Sequence, residues 1–464
     1  MLPLDKFKDN HIAIFGLGLS GVAVARALKA AGATIYCWDD NEETVEKYRG
    51  ELPIVDLYNC SFEDVEAIVF PPGMPLIYPR PHALVGKAMA NNLGVYGDIE
   101  LFALIRDQLP SHKVVGITGT NGKSTTSALL THVLKECGMD AALGGNFGVP
   151  VMDLDPLPEG GVYVFELSSF QLDLMESLKC DVAMLLNFAP DHLERHGGME
   201  GYVEAKVRIL TMMENDKPAF IGVDDQWALS TYQIYEGRKH PVSVQRAAQN
   251  GVYVQSGVLW DTRDHGDAGP VARMEDFPNL PGLHNAQNIA FVYGAALELG
   301  LKKADVVSAL KTFVGLPHRM EQVATIDGVS FINDSKATNG VAAAKALSAF
   351  DDIYWVAGGL AKQDGLAPAI QYLGAVKKAY LIGTAAAEFA KSLDGQCPAA
   401  ICGDLEKATR AAFDDASAAI DGGTILLAPA AASFDQFTSF GARGDAFAAL
   451  AQNLCATTAG GNHA

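Results

Sequence analysis

Val114-Val-Gly-Ile-Thr-Gly-Thr-Asn-Gly-Lys-Ser-Thr125 runs from an apolar strand through a glycine-rich turn into a helix that begins near Lys123. Glycines let backbone N–H groups close on phosphate oxygens, the helix N-terminus adds its dipole, and the lysine supplies a point charge. A Ser or Thr after that lysine commonly holds the Mg2+ that bridges the phosphates, which assigns the role to Ser124. The glycines fall at Gly116, Gly119 and Gly122, while Ile117 stands where the standard loop has its first glycine. The strand–loop–helix context still predicts a nucleotide site. It also predicts the fold class, α/β, with parallel strands joined by crossover helices.

Outward from this stretch, short β-branched runs alternate with helical patterns. Upstream the spacing predicts a strand over His11–Phe15, a helix over 21–31 and a strand over Thr34–Trp38. The central unit continues with a helix over 124–137 and strands at 162–165 and 181–186. A third set has strands at 329–332, 353–356, 379–382 and 424–427. Each set restarts a sheet, so three domains are expected, over 1–97, 98–315 and 316–464. A helix over 98–108 leads into the second, and Gly315-Leu-Pro317 links it to the third. Residues 251–281 read as a β-rich insertion, 385–419 as helices, and 457–464 as a frayed tail.

Three domains suit 464 residues at about 150 residues each. Lys and Arg total 35 against 55 Asp and Glu, a formal net charge of -20. Such a surface repels phosphate backbones, so neither nucleic acid nor an anionic membrane is an expected partner. Hydrophobic residues make up 49% and charged residues 19%, the values of a globular chain. No run approaches the roughly 18 apolar residues of a membrane span. Asp5, Lys6 and Lys8 stand where a signal peptide would need an apolar segment. The seven cysteines are scattered without C-x-x-C, which favours a reducing cytoplasm over a disulfide framework or a thiolate zinc site.

A second glycine pattern, Gly16-Leu-Gly18-Leu-Ser-Gly21, follows a strand and opens a helix, with Asp39 and Asp40 ending the next strand. Alone it suggests a dinucleotide site; the same glycines would also serve another pyrophosphate ligand, or only close helix–strand packing. Glu166-Leu-Ser-Ser-Phe-Gln171 follows an apolar strand, where a carboxylate faces the ligand crevice and can hold Mg2+. On a helix at about 100° per residue, segment 199–213 gathers Met199, Tyr202, Val203, Ile209, Leu210 and Met213 into a stripe centred on Lys206. Glu204, Arg208 and Asn215 fall opposite. Lysine is rarely buried unpaired. Either its stem snorkels to the surface, or a lowered pKa exposes a reactive amine. Asn187-Phe-Ala-Pro-Asp191-His192 follows another strand, and His192 reads as a structural histidine, a proton carrier or a metal ligand. Arg195 and His196 read as a solvated loop. In the third unit, Asn333-Asp334-Ser-Lys336-Ala-Thr338-Asn339, Gly358-Gly359-Leu-Ala-Lys362 and Ser433-Phe-Asp-Gln-Phe-Thr-Ser-Phe440 all follow strands, where ligands sit in open sheets.

Together these residues resemble the Mur ligases, and within them the D-glutamate-adding members, over nearly the whole chain. Gly119-Thr-Asn-Gly-Lys-Ser124 matches the ATP loop that Mur ligases share with folylpolyglutamate synthetases. The stretch from Asn333 to Asn339, with Ser433-Phe-Asp-Gln-Phe437, matches the D-glutamate-adding members. The resemblance implies an N-terminal Rossmann-like UDP-binding domain, a central P-loop-type ATPase domain and a C-terminal Rossmann-like domain for the amino acid. It implies ATP-dependent joining of UDP-N-acetylmuramoyl-L-alanine to D-glutamate through an acyl phosphate, in cytoplasmic peptidoglycan precursor synthesis, by a monomer.

Residue roles follow from the same resemblance. ATP would be held by Gly119, Thr120, Asn121, Gly122, Lys123, Ser124 and Thr125, with Asn285 and Asn288 on the adenine side and Arg319 and Asp334 from the third domain. The UDP-substrate would meet Gly18, Leu19, Ser20, Asn146, Ser168 and Gln171, with Asp39 on the uracil side. D-glutamate would meet Thr338, Lys362, Ser433 and Phe440. Mg2+, with Mn2+ as an alternative, would take two sites, one served by Ser124 and Glu166, the other by His192 and Lys206. In the family the matching lysine is carbamylated by CO2, which makes a carboxylate-like ligand of it. Lys123, His192 and Lys206 would be catalytic. Two positions depart from the family: Pro71 stands before Pro72-Gly73 where Ser-Pro-Gly is usual, and Asn41 stands near a place for a basic residue.

Overall fold

The computed structural model describes residues 1–263, 268–361, 365–420 and 422–461. The chain folds as two compact units, Met1–Phe313 and Val314–Ala464. Among the described residues, the first unit carries two sheets and the second carries one.

The first sheet consists of β1 (His11–Phe15), β2 (Thr34–Trp38), β3 (Ala67–Val69) and β4 (Gly94–Tyr96), all parallel in the order β2-β1-β3-β4. The second contains β5 (His112–Thr118), β6 (Ala141–Gly145), β7 (Gly161–Glu166), β8 (Val182–Leu185), β9 (Ala219–Gly222) and β10 (Lys239–Ser243). It ends with β11 (Val252–Gln255), β12 (Val258–Asp261) and β13 (Gly269–Arg273), in the order β13-β12-β11-β10-β9-β8-β5-β7-β6. The order reverses direction at β1 in one sheet and at β5 in the other. Such switch points open a crevice beyond the carboxyl end of the strand, and both glycine-rich turns sit there.

Strands buried on both faces read as continuous apolar runs, and every residue of β7 is buried. The Leu19–Ala30 helix approaches β1 so closely that a Cβ on Gly21 would lie 1.8 Å from the Gly16 carbonyl oxygen. At this position the close-packing role of glycine is therefore real. The two sheets share one apolar core, which includes Ile12, Ile14 and Leu28 from the first and Tyr163 and Phe165 from the second. Phe102 joins them edge-on, with its ring 5.0 Å from Tyr163 and 4.8 Å from Phe165. Burying each such side chain contributes about 1.5–3 kcal/mol before the entropy of ordering is counted.

The second unit contains β14 (Glu321–Ile326), β15 (Val329–Asn333), β16 (Ile353–Gly358), β17 (Val376–Ile382), β18 (Ala399–Gly403) and β19 (Gly423–Leu427). Their order is β14-β15-β19-β16-β17-β18, parallel except for the β14–β15 hairpin. Because β15, β19 and β16 are neighbours, the loops that follow them emerge side by side.

The stretch over 251–281 is β-rich as expected, with β11, β12 and β13, and because β11 pairs in parallel with β10 it widens the central sheet. Several expectations need correction. Residues 385–419 are not helical throughout; β18 separates the helices Ala386–Leu393 and Leu405–Ser417, in a segment where alanine composition hid a short edge strand. The final helix, Phe440–Gly461, carries the backbone through most of the expected frayed tail, and residues 462–464 lie outside the described residues. The expected helix over 98–108 is α-helical over Asp98–Ile105 and finishes as a 3-10 turn, Arg106–Gln108. Among the described residues no helix is long and apolar enough to cross a membrane.

Candidate active site

The turn 119–122 links β5 to the Lys123–Glu136 helix. Gly122 precedes that helix with φ +88°, and a Cβ there would lie 2.6 Å from Asn288 Oδ1. Thr126 Oγ1 donates to the same oxygen at 3.1 Å, Asn288 Nδ2 donates to Asn285 Oδ1 at 3.3 Å, and Asn285 Nδ2 donates to the Pro281 carbonyl at 2.9 Å. Asn285 and Asn288 are thus brought to the helix that receives the turn. Lys123 Nζ donates to the Gly119 and Thr120 carbonyls at 2.9 and 3.0 Å, and Ser124 is buried in the first helical turn, with Thr125 half-buried beside it.

Two residues without an assigned role fix this turn. Asn187 Oδ1 accepts the Asn121 N–H at 2.9 Å while its Nδ2 donates to the Asn121 carbonyl at 3.1 Å. Thr120 Oγ1 accepts the Ala189 N–H at 3.0 Å and lies 3.0 Å from the Tyr202 hydroxyl. Asn187 stands at a strand end and Tyr202 in the apolar stripe, so pattern alone gave each a blander reading.

Glu166 closes β7 and is 2% exposed. Its Oε1 accepts Asn146 Nδ2 at 2.9 Å, and the Asn146 N–H donates to the Glu166 carbonyl at 2.8 Å. Its Oε2 is buried without a hydrogen-bond partner. A buried polar atom in that state costs about 1–3 kcal/mol, and more when charged, so the position suits a cation. Among the described residues no three His, Cys, Asp or Glu side chains converge as a ready-made metal cage.

Lys206 does not snorkel: it is 1% exposed, in the helix Met199–Thr211. Its Nζ lies 4.8 Å from the centre of the Tyr202 ring. Burial pushes this amine well below the ordinary lysine range and Lys123 adds repulsion, while Asp191, Glu166 and Asp173 oppose both. Those influences bring Lys206, Lys123, Glu166 and Asp191 into one electrostatic neighbourhood. His192 has φ +51°, is half-exposed, and its Nε2 lies 3.6 Å from Asp191 Oδ2.

Arg195 and His196 are not in a solvated loop. His196 is buried, its Nε2 3.0 Å from Ser169 Oγ, and burial first, then Arg195, Lys206 and His192, lower its pKa to about 4. The Phe170 ring packs 4.9 Å from His192 and 5.5 Å from His196, with the Arg195 guanidinium over it at 5.4 Å. Arg195 Nη1 also donates to the Tyr78 carbonyl at 3.2 Å, and Nη2 to that of Met74. Arg208, placed opposite the apolar stripe, is half-buried, and its Nε donates to the Leu172 carbonyl at 2.8 Å.

The residues expected at the UDP end lie around β1 and the start of the Asp98–Ile105 helix. Gly18 precedes the Leu19–Ala30 helix, and Leu19 is 84% exposed. Burial raises the Asp98 carboxyl above the usual range, with Ser20 and Gln171 as opposing neighbours, so Asp98 is where the two sheets' candidate residues meet. Ser168 and Gln171 form a capping box on the helix Ser169–Asp173. Asp39 accepts the Leu17 N–H at 2.6 Å and the Asn41 N–H at 2.8 Å, and Asn41 caps its own helix through the Thr44 N–H at 3.0 Å.

In the second unit, burial raises the Asp334 carboxyl to about 7 against the opposing Arg319 guanidinium, so these two are neighbours. Lys336 Nζ sits 4.1 Å from the centre of the Phe440 ring, and the Thr338 N–H donates to the Lys336 carbonyl at 2.7 Å. Ser433 Oγ is buried without a hydrogen-bond partner. Lys362 lies outside the described residues.

Residues 117–296 match the Mur ligase middle domain, and residues 318–431 match the Mur ligase, glutamate ligase domain. The chain is 45% identical to the UDP-N-acetylmuramoylalanine--D-glutamate ligase of Caulobacter sp. (strain K31) over 465 residues, covering 98% of each chain. It is 45% identical to the protein of the same name from Phenylobacterium zucineum (strain HLK1), again over 98% of each. Its fold is similar to the crystal structure of the UDP-N-acetylmuramate-alanine ligase from Thermotoga maritima, with a TM-score of 0.57 at 16% identity, covering 96% of this chain and 99% of that one. The MurF ligase of the same organism, solved in complex with ADP, also gives a TM-score of 0.57 at 16% identity, covering 99% and 98%. With its α/β sheets, its phosphate loop and full-length relatives in hand, the chain belongs to the Mur ligase family.

Proposed function

We propose that this chain joins the alanyl carboxylate of UDP-N-acetylmuramoyl-L-alanine to the amine of D-glutamate, using ATP, in peptidoglycan precursor synthesis. The observation that carries the ligase chemistry is the gathering of buried Lys206 and Glu166 with half-buried Lys123 beside the phosphate turn. The choice of D-glutamate is supported by the name of the 45%-identical relatives. The enzyme acts as a cytoplasmic monomer.

The turn 119–122 and Lys123 hold the ATP phosphates, with Asn285 and Asn288 toward adenine. Gly18, Leu19, Ser20, Asp39, Asn146, Ser168 and Gln171 hold the UDP-substrate so that its carboxylate reaches the γ-phosphorus. The carboxylate oxygen attacks phosphorus, ADP leaves, and an acyl phosphate results. The D-glutamate amine, held by Thr338, Lys362, Ser433 and Phe440, attacks the acyl carbon; phosphate leaves and the amine's proton passes to His192 or to a phosphate oxygen.

The unpartnered Glu166 oxygen and buried Ser124 fit one Mg2+, and His192 with Lys206 fit a second; Mn2+ suits the same oxygen-rich set. Bound there, the cations screen repulsion between phosphate and attacking carboxylate. For Lys206 to serve, its neutral amine adds to CO2, forming an N–C bond and releasing one proton to water. An amine whose pKa burial drives down is suited to that addition.

The test is phosphate release from ATP, Mg2+ and UDP-N-acetylmuramoyl-L-alanine with D-glutamate, L-glutamate or L-alanine added in turn. Release only with D-glutamate is expected. Equal release with all three, or none with D-glutamate, refutes the assignment.

A further inference from the structure

The segment that follows β8 is hydrogen-bonded to the phosphate turn. The Thr120 N–H donates to the Asn187 carbonyl at 2.9 Å, the Asn121 N–H to Asn187 Oδ1 at 2.9 Å, and Asn187 Nδ2 to the Asn121 carbonyl at 3.1 Å. The same Nδ2 also donates, more loosely, to Gln287 Oε1 at 3.5 Å. Gln287, buried in the helix Leu283–Glu298, then donates through Nε2 to Asp224 Oδ2 at 3.2 Å.

Asp224 follows β9 and is itself held at the end of β10. The Ser243 hydroxyl donates to Oδ1, and the Val244 N–H donates to Oδ2 at 2.8 Å. Its neighbour Asp225 accepts the Phe188 N–H at 3.0 Å, one residue beyond Asn187. The approach is close: a Cβ on Gly222 would lie 2.0 Å from the Leu186 carbonyl oxygen and 3.6 Å from Gln287 Nε2. Segments from the ends of β8, β9 and β10 and from one helix therefore meet in a chain of bonds that ends on the phosphate turn.

The chain has a fixed polarity. A side-chain amide can present its oxygen or its NH2 group to a neighbour, and its partners decide which. At one end the Asn121 N–H can only donate, which turns Asn187 Oδ1 toward it. At the other end an ionised carboxylate can only accept, which turns Gln287 Nε2 toward Asp224. Asn187 Nδ2 then meets Gln287 Oε1, the arrangement that satisfies both amides. A satisfied network of this kind specifies one conformation, and a partly satisfied one does not.

We propose that Gln287 and Asp224 are positioning residues for the nucleotide: Asp224 orients the Gln287 amide, and Gln287 holds Asn187, and through it the phosphate turn, in register with the helix that carries Asn285 and Asn288. This rests on the ATP site of the proposed function and is independent of the amino acid joined. Neither residue need touch the nucleotide.

The test uses the full chain with Gln287→Glu, Gln287→Met, and the double variant Gln287→Glu with Asp224→Asn. Calorimetry measures Kd for Mg-ADP, and steady-state kinetics measure KM for ATP, for the UDP-substrate and for D-glutamate. In Gln287→Glu two carboxylates face each other, and Kd for ADP and KM for ATP rise about tenfold, equivalent to roughly 1.4 kcal/mol, while the other two KM values hold within about twofold. In the double variant the new amide turns its NH2 group toward the new carboxylate, and ADP affinity returns to within about threefold of the parent, the coupling that a double-mutant cycle reads. Gln287→Met loses both bonds, raises both constants, and supplies the reading if Gln287→Glu does not fold. Unchanged nucleotide affinity in either single variant, an equal rise in all three KM values, or no recovery in the double variant overturns the proposal. If the parent binds ADP but does not use D-glutamate, the ligase assignment fails while calorimetry still decides the role of Gln287; if the parent binds no ADP, both fail.

Discussion

Glu166 accepts the Asn146 side-chain amide at 2.9 Å through one carboxylate oxygen and keeps the other buried without a hydrogen-bond partner. Asn146 thereby aims the free oxygen, since rotation of the carboxylate would break the bond. Glu166→Gln keeps the volume and an acceptor for Asn146 but removes the charge. We expect kcat to fall at least about 100-fold, as for removal of a group that stabilises transition-state charge, with the Mg2+ requirement raised and the melting temperature little changed. Phosphate release across a Mg2+ titration reads the first two and calorimetry the third. An unaltered Mg2+ requirement would remove Glu166 from the metal site.

Lys206→Met should separate stability from chemistry. Methionine fills the stripe between Tyr202 and Ile209 and removes a buried amine that is costly to charge, so the variant should fold at least as well as the parent. Activity should nevertheless be lost, and small carboxylates such as formate should restore part of it. In the parent, carbon-13 bicarbonate should give a carbamate signal that Lys206→Met lacks. An active Lys206→Met enzyme contradicts the proposed role.

Asn187→Ala removes both bonds to the backbone of Asn121 and leaves that N–H and carbonyl to relax. A turn held less firmly binds phosphates less well. The expected result is a KM for ATP raised about tenfold, on the scale of one or two lost hydrogen bonds, with KM for the amino acid unchanged. If the amino-acid KM rises in step, Asn187 supports the whole unit and not the turn.

Arg263 lies fully buried between Asp261 at 2.7 Å and Glu298 at 3.2 Å, joining β12 to the Leu283–Glu298 helix. Arg263→Met leaves two buried carboxylates short of a partner, which costs roughly 3–5 kcal/mol. Chemical denaturation should show this loss while kcat at low temperature stays near normal, because the network lies away from the phosphate turn. A denaturation midpoint equal to that of the parent would show that Arg238, which also pairs with Glu298, compensates.

Asp334 gives the second unit a pH dependence. Its folded pKa, raised to about 7, lies above the ordinary carboxylate value of 3.8, so the protonated form is favoured on folding. That contribution is complete below about pH 4 and is lost as pH rises through about 7. Asp334→Asn should remove this slope, measured as unfolding free energy of the second unit between pH 5 and 8 without ATP. A slope of the same size in Asp334→Asn assigns it to other groups.

The sequence by itself determined the α/β class, the phosphate turn and the unusual lysine. Each is written in local spacing: strand, glycine turn and helix in one run, and a charged residue at the centre of a 3.6-residue stripe. Spacing could place Lys206 on the buried face but could not decide between snorkelling and burial, because that depends on whether other elements close over the amine. Only the tertiary structure did so, by gathering Asp191, Glu166 and Lys123 around it from separate segments. The same limit hid Asn187, Asp98 and Gln287. Each is an ordinary polar residue in its own segment, and its consequence comes from partners distant in sequence: Asn121, Ser20 with Gln171, and Asn187 with Asp224. Short strands such as β6, β9 and β18 were illegible for a related reason. A few residues carry too little periodicity to declare a strand, and their stability comes from the neighbours with which they pair.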